Sequence, residues 1–600
     1  MKRLQENATI IIILNIVFIF SYVLSGIDYK IMPAILFDEF GYWTNGAAIA
    51  GYSWNGITSV LCPYYSYGYS LLLGGMLYLL KDANIAYQCA ILANAFFVSA
   101  IIIIYNFLFR KMTNLSNNII AFIGIVISTY PGIMAYLNLA WSEIFLNLIY
   151  SVSILLIYLY IYKEKKIFCF GATFMLMYLY SIHQRSIFAT VFGLCFLILV
   201  AIKRKKYIDI VGVAIIFVSL FSGQFFIKKL FYRLLWNNEA GNLLQIISDE
   251  SVNKINIIGG VTSSNDYLGQ VDKLTYIFSK EGLINFIFLF IGKIFYIGIA
   301  TFGVAYEGII YILQTIRKKL KRGEKNCYIF YYILIILNLI FACLLTTFFL
   351  IRAKRIDVVV YSRYADWALI PVICAGIFKI YYDGVDKLRF TKYLCFQIVF
   401  GIIFYNYTVK NNLYSFYEVC APFWYKFYQN SNTTWILSTL LYMVIIESII
   451  VIFVNSKYSK LKYMAYCIIF VTYLILNNSV NDRIEELRNE KEVIEVVDAI
   501  KSNKTNELYF LYDLKRDDGK EGYGMSNYYI GSIQFNLLDK EIKCVSYTRI
   551  SEIKSGIVIA PNYNTTDELM NLGFDNIFET KNYRLFAMSD IRLKGMETVP

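Results

Sequence analysis

Phe37-Asp38-Glu39-Phe40-Gly41-Tyr42-Trp43 sets two adjacent carboxylates among four aromatic side chains, directly after the first long apolar run of the chain, residues 9–26. Two acids beside an apolar run are solvated charges of an interfacial loop, or they carry chemistry. The choice depends on what surrounds them, and the surroundings are apolar. The 600 residues are 58% hydrophobic and 16% charged, against about 25% charged in a typical soluble domain. Residues 1–480 hold many apolar runs of ~17 residues or more, long enough for a helix to cross a bilayer. A transmembrane β-barrel is excluded, because its strands would read as ~10-residue segments of alternating polarity. The expected fold class is an all-α polytopic membrane protein with about 13 transmembrane helices and a small C-terminal α/β domain.

The net charge is +13, and its distribution is uneven. Residues 481–600 hold 16 Lys/Arg against 21 Asp/Glu, so residues 1–480 hold 40 against 22. The basic excess belongs in cytoplasmic loops by the positive-inside rule, not against nucleic acid. Eleven cysteines are scattered without a CxxC pair, and His183 is the only histidine, so a Cys/His metal centre is excluded. Lys2 and Arg3 place the N-terminus in the cytoplasm, and no small-residue cleavage site follows the first run, which is therefore read as a retained span.

Thirteen spans then alternate consistently: 9–26, 85–109, 119–137, 143–162, 167–182, 186–202, 208–227, 284–314, 327–351, 367–382, 393–409, 434–454 and 463–479. Residues 67–80 are apolar but short and fit a helix lying at the interface. The outer loops are 27–66, 228–283, 352–366 and 410–433. Nearly every basic cluster falls inside; the exception is Arg352 to Arg363. The aromatic loop 410–433 reads as an interfacial belt. Residues 481–600 change character: helical spacing over 485–500, strands at 508–512, 542–546 and 556–560, a short helix at 567–573, and strands at 576–579 and 583–587. That alternation predicts a small extracytoplasmic α/β domain. It carries neither GxGxxG nor GxxxxGK[ST], so nothing marks it as nucleotide-binding.

Each polar cluster at an outer end has two readings. Glu143, after Trp141-Ser142, is an acid in the first turn of a helix that Ser142 caps, or it orients an acceptor or a metal. Arg185, after His183-Gln184, snorkels to headgroups, or it binds a phosphate with His183 assisting. Arg352, Lys354, Arg355, Arg363 and Tyr364 anchor to headgroups, or the planar Arg fork grips phosphate oxygens. Asp366 is a ready partner for Arg363.

Asp38-Glu39-Phe40-Gly41-Tyr42-Trp43 in the first outer loop, followed by Pro63-Tyr64-Tyr65-Ser66-Tyr67-Gly68-Tyr69-Ser70, resembles the first outer loop of the GT-C superfamily of integral-membrane glycosyltransferases. It is most similar to the protein O-mannosyltransferase and aminoarabinose-transferase branch. The resemblance implies a polyprenyl-phosphate sugar donor used on the outer face of the bacterial cell membrane. It implies Asp38 as catalytic base, with Glu39 beside it. It implies Glu143 as a second acid in the second outer loop, and lipid-phosphate binding by Arg363 and Tyr364. The acceptor would be a cell-envelope glycan, lipid or protein. A divalent cation (Mg or Mn) on Asp38 and Glu143 is left open. The rival class is a transporter or flippase of lipid-linked glycans, which would show inverted repeats with spans broken at the midplane; neither is legible in the sequence. A third class, a scaffold that only displays the C-terminal domain, leaves the outer acids and arginines without a role.

Overall fold

The computed structural model describes residues 2–61, 65–113, 115–235, 267–323, 327–413, 418–428, 433–503, 505, 507–512, 523–562 and 567–588. Among these, nine helices are long and apolar enough to cross a membrane, or ten if a bent pair is one span. The protein is a multi-pass membrane protein. The expected spans at 9–26 and 167–182 are the shorter apolar helices Thr9–Leu24 and Lys166–Ile182, and that at 367–382 is the helix Asp366–Asp383.

Two expected spans are interrupted. Ile119–Thr129 and Pro131–Leu137 meet at 55°. Pro131 has no N–H to continue the first helix and sits at the first position of the second. The expected span 284–314 is two helices, Lys280–Ala300 and Val304–Lys321. Phe302 (φ 49°) and Gly303 (φ 74°) take left-handed backbone between them and end the first helix. The sequence hides this break because the residues around it remain apolar.

The stretch around Asp38 is also helical. Leu36–Ala50 and Asn55–Leu61 lie where a loop was expected, and the short apolar helix expected at 67–80 is Tyr67–Leu80. Leu36–Ala50 and Tyr67–Leu80 cross where Gly46 meets Gly74; a Cβ on Gly74 would strike the Gly46 carbonyl. Gly41 does the same service for Tyr65, whose ring occupies the space a side chain there would need.

The C-terminal sheet has the order β2-β1-β3-β5-β4, with β1 Leu508–Tyr512, β2 Ile542–Ser546, β3 Ile557–Pro561, β4 Phe574–Glu579 and β5 Tyr583–Met588. β1 pairs in parallel with β2 and β3, and β5 runs antiparallel to β3 and β4. The strands match the bounds expected from the sequence to within two residues at each end.

This domain docks directly onto the Asp38 region. Phe535, on the helix Tyr523–Asn536, packs its ring against Trp43 (5.0 Å between centroids), Trp54 (6.0 Å) and Tyr87 (6.0 Å). The Trp54 indole donates to Leu538 O (2.8 Å), the Gly56 N–H donates to Glu541 (2.8 Å), and Ser532 donates to Pro33 O (3.2 Å). The helix carrying Asp38 is therefore held from below by the bundle and from behind by the C-terminal domain.

Candidate active site

Asp38 and Glu39 are neighbours in sequence and part company in space. Glu39 is fully buried, and four donors take its two oxygens. Oε2 accepts from the Ala34 and Ile35 N–H groups (2.8 Å each), and Oε1 accepts from Tyr87 OH (2.7 Å) and the Ala140 N–H (2.8 Å). Buried Arg488 completes this knot, donating to Met32 O (3.1 Å) and Asn138 O (2.7 Å). A carboxylate with four internal donors has no lone pair left for a substrate proton. Glu39 fastens the first loop to the 138–140 turn, and the expected acidic pair does not form.

Asp38 faces the other way in chemical terms. Its side chain keeps 26% exposure, and it accepts from Tyr65 OH and from Arg363 Nη1 (2.5 Å). Arg363 Nε donates at 2.5 Å to Glu143, whose side chain is 5% exposed. One guanidinium thus bridges two carboxylates that lie 105 positions apart in the chain. The Arg363 guanidinium carbon lies 3.4 Å over the Trp141 ring, which adds a cation–π contact on its flat face. Ser142 donates to Glu143 (3.2 Å) and is paired with Tyr42 OH (2.8 Å), so Glu143 is held from both sides. Burial alone would raise the Asp38 carboxyl; the charge of Arg363 and the Tyr65 hydroxyl outweigh it and hold the group below the usual carboxylate range. Burial opposes charge on Arg363 as well, and Glu143 and Asp38 overcome it, so its pKa stays well above the ordinary value.

The anticipated Asp366–Arg363 pair is absent. Asp366 accepts instead from Tyr130 OH (2.7 Å) and Ser362 Oγ (3.2 Å). Tyr364 lies between the two arginines: Arg185 is 3.1 Å and Arg363 5.3 Å from its ring centre. Arg185 Nη1 is buried with no hydrogen-bond partner among the described residues. His183 accepts the Arg185 backbone N–H on Nδ1 (3.3 Å); burial, then Arg185 and Arg363, push its pKa well below 6.5, so it is neutral. Lys273, on Tyr267–Ile277, is 4% exposed and lies over the Phe349 ring (5.7 Å) that Arg185 also faces (5.9 Å). Burial and the charge of Arg185 lower the Lys273 pKa. Two cations therefore approach one aromatic floor beside the Asp38–Arg363–Glu143 bridge. Arg352 stands apart from this group, paired bidentately with Asp272 at a largely exposed surface (3.0 and 3.2 Å).

Sequence reasoning missed Tyr65, Lys273 and Arg488. Tyr65 lay inside the quoted motif and needed only the Gly41 clearance to be found. Lys273 and Arg488 carry no local signal, because each is defined by a tertiary partner.

No group of three or more His, Cys, Asp or Glu side chains arranged to hold a metal ion occurs among the described residues. Between Asp38 and Glu143, the cation is Arg363.

No protein-family model matches the chain, and no curated protein matches it. Solved structures do. The chain is similar to the crystal structure of ArnT from Cupriavidus metallidurans bound to undecaprenyl phosphate, at 9% identity and a TM-score of 0.51, covering 96% of this chain and 97% of that one. A crystal structure of the same ArnT in the apo state gives 10% identity and a TM-score of 0.48 over the same shares. With identity this low the likeness is one of fold, and it covers 96% of the chain: the protein shares the fold of that ArnT structure.

Proposed function

We propose that the protein transfers a sugar from a polyprenyl-phosphate-linked donor to an acceptor on the outer face of the cytoplasmic membrane, with inversion at the anomeric carbon and Asp38 as the base. The observation that carries this reading is the Asp38–Arg363–Glu143 bridge standing open at Asp38, with the buried, unpartnered Nη1 of Arg185 alongside. The fold shared with a protein solved with undecaprenyl phosphate bound supports the donor class.

Each residue then has a task. Arg185, with Lys273 behind it, takes the donor phosphate, since a buried donor without an acceptor gains a full charge-assisted bond when the phosphate arrives. Tyr364 supplies the flat support on which Arg185 rests. Neutral His183 holds the Arg185 backbone. Asp38, ionised because Arg363 holds it so, receives the acceptor proton as the new glycosidic bond forms. A phosphate near Arg363 competes with Asp38 for the guanidinium, and the base gains strength as the donor binds. Glu143 keeps Arg363 in place through that exchange. As the bond from sugar to phosphate breaks, the growing phosphate charge falls to Arg185 and Arg363. A divalent cation bound by Asp38 and Glu143 would have to displace Arg363, which bridges the two acids.

The test is turnover of a panel of radiolabelled undecaprenyl-phosphate sugars by wild type and Asp38→Asn in nanodiscs. Consumption of one donor by wild type, at a rate at least ~100-fold above the variant, is expected for loss of a general base. Equal rates would remove Asp38 from the chemistry. Donor binding without turnover by wild type would move the assignment to a transporter of lipid-linked glycans, a class for which the bent pair Ile119–Thr129 and Pro131–Leu137 is a structural argument.

A further inference from the structure

Lys293 lies well inside the membrane-spanning helix Lys280–Ala300, is 2% exposed, and takes no part in the chemistry assigned above. Its amine donates to two backbone oxygens, Val358 O and, at 3.2 Å, Val359 O. The titratable groups whose charge reaches it are Cys343 and Asp357, and Asp357 is held bidentately by Arg355 (2.9 and 3.1 Å). An ionisable side chain at membrane depth is costly, so its use is sought first in what it holds. Lys293 holds the buried turn Asp357–Val360, whose last carbonyls have no following turn to bond. Arg363 comes four residues after Val359.

Gly292 makes the grip close. A Cβ there would come within 2.4 Å of Val359 O, so the helix lies against the turn at Gly292 and bonds it through Lys293. Every residue from Val358 to Arg363 is buried. Within that stretch the Ser362 N–H donates to Cys420 O (3.1 Å), and the Ser362 hydroxyl donates to Asp366 (3.2 Å). A displacement of the turn therefore has no loose segment to absorb it before Arg363, because close-packed interiors transmit strain.

We propose that Lys293 is a positioning residue for Arg363: through the Val358 and Val359 carbonyls it sets where the guanidinium stands between Asp38 and Glu143. The inference rests on the reading of Asp38 as a base that Arg363 keeps ionised. The groups that act on the Asp38 charge are Arg363, Tyr65 and Arg185, and none of them is on the Lys280–Ala300 helix. Lys293 thus reaches Asp38 through the backbone and Arg363, not through its own charge. Both bonds of the bridge are 2.5 Å, and charge-assisted bonds of this kind weaken as donor and acceptor lose alignment.

The test reads the titration of Asp38 in the purified full-length protein in nanodiscs. The signal is the infrared C=O stretch of its protonated carboxyl, identified as the band absent from Asp38→Asn. Lys293→Met should raise the midpoint by about one pH unit, an about tenfold change in proton affinity. Gly292→Ala keeps the amine and pushes the turn away, and should move the midpoint the same way; it also gives the answer where Lys293→Met does not fold. In the Arg363→Gln background, Lys293→Met should add no further shift. Asn285→Ala removes another bond from this helix to the same loop, the one to Ile351 O (3.2 Å), and should lower stability with the midpoint unchanged. A midpoint at the wild-type value in folded Lys293→Met or Gly292→Ala would overturn the proposal. So would a further shift by Lys293→Met in the absence of Arg363, or an equal shift in Asn285→Ala. The band requires no turnover, so a wild type that consumes no donor would end the sugar-transfer reading and leave this result standing.

Discussion

Removing Arg363 tests the bridge in two independent ways. Arg363→Met deletes the guanidinium and leaves Glu143 buried at 5% side-chain exposure with only Ser142 as a donor. Breaking a buried pair by removing one partner costs about 3–5 kcal/mol, because the remaining charge is stranded. The double variant Arg363→Met/Glu143→Gln removes the stranded charge as well, so its loss should fall short of the sum of the two single losses by about 1–3 kcal/mol. Unfolding in mixed detergent–SDS micelles measures all three. Additive losses would show that Arg363 and Glu143 do not share a buried interaction, and the site as described would fail.

Replacing Arg363 by an uncharged residue also moves a titration. Asp38 has its folded pKa depressed by Arg363 and Tyr65 against the upward push of burial. A depressed carboxyl contributes stability that is present above its unfolded value, about 3.9, and lost as pH falls through the folded value. Arg363→Gln removes the main depressing charge and leaves the burial. The Asp38 pKa must therefore rise, and the acid limb of kcat/KM must move to higher pH. Each unit of that movement corresponds to about 1.4 kcal/mol of lost interaction. An acid limb that stays in place, in a variant that still folds and binds donor, would refute Asp38 as the base.

His183 is held neutral, with its folded pKa well below 6.5. The unfolded chain takes up this proton first, so stability falls as pH drops below about 6.5; His183→Gln should flatten that slope between about pH 6.5 and 5 in the same unfolding assay. Phe535→Ala empties the contact with Trp43, Trp54 and Tyr87 and should cost about 3–5 kcal/mol, with a lower kcat at unchanged donor affinity, because Asp38 loses its support while Arg185 does not. Glu39→Gln keeps the shape but sets an amide NH2 against N–H donors, and should destabilise by about 1–3 kcal/mol; a variant as stable as wild type with turnover lost would return Glu39 to the chemistry. Donor turnover should survive EDTA, since Arg363 occupies the position between Asp38 and Glu143.

What the sequence disclosed follows from how far each signal reaches along the chain. Span positions are sums over about 20 residues, and most of the long apolar helices were legible, though nine or ten of the described helices qualify as spans where thirteen were expected. The strands of the C-terminal domain were legible as short runs of β-branched, aromatic and other apolar residues separated by polar stretches. The helix breaks at 129–131 and 300–304 were not seen as breaks, since the residues immediately beside each stay largely apolar; Pro131 was the clearest local sign. Asp38, Glu143, Arg185 and Arg363 were each found from polar residues at the outer ends of apolar runs. Their partners were not found: Asp366 was the nearer candidate for Arg363 in sequence, and the tertiary fold gave Arg363 to two acids over 200 positions away. Asp38 and Glu39 show the limit most clearly. A hundred-degree turn of helix separates two adjacent side chains, so a motif of consecutive acids cannot say which of them reaches the site.

The separation of those two acids also accounts for how the site is stiffened. Asp38 has one exposed edge and so cannot be fixed by packing on all sides. Its neighbour supplies the fixing: Glu39, one residue on, is tied to the first loop, the 140 turn and the Tyr87 ring, and Arg488 ties the same knot to the helix that leads into the C-terminal domain. Phe535 closes the far side. Placing a reacting group to within about half an ångström needs such support from residues that do not react. On this view the C-terminal domain acts on catalysis through the backbone of residues 32–43, and variants at Arg488 or Phe535 should lower kcat together with the stability of that segment while leaving the acid limb of Asp38 where it is. A shift of that limb in Phe535→Ala would instead mean that the domain contributes charge or solvent exclusion at the site itself.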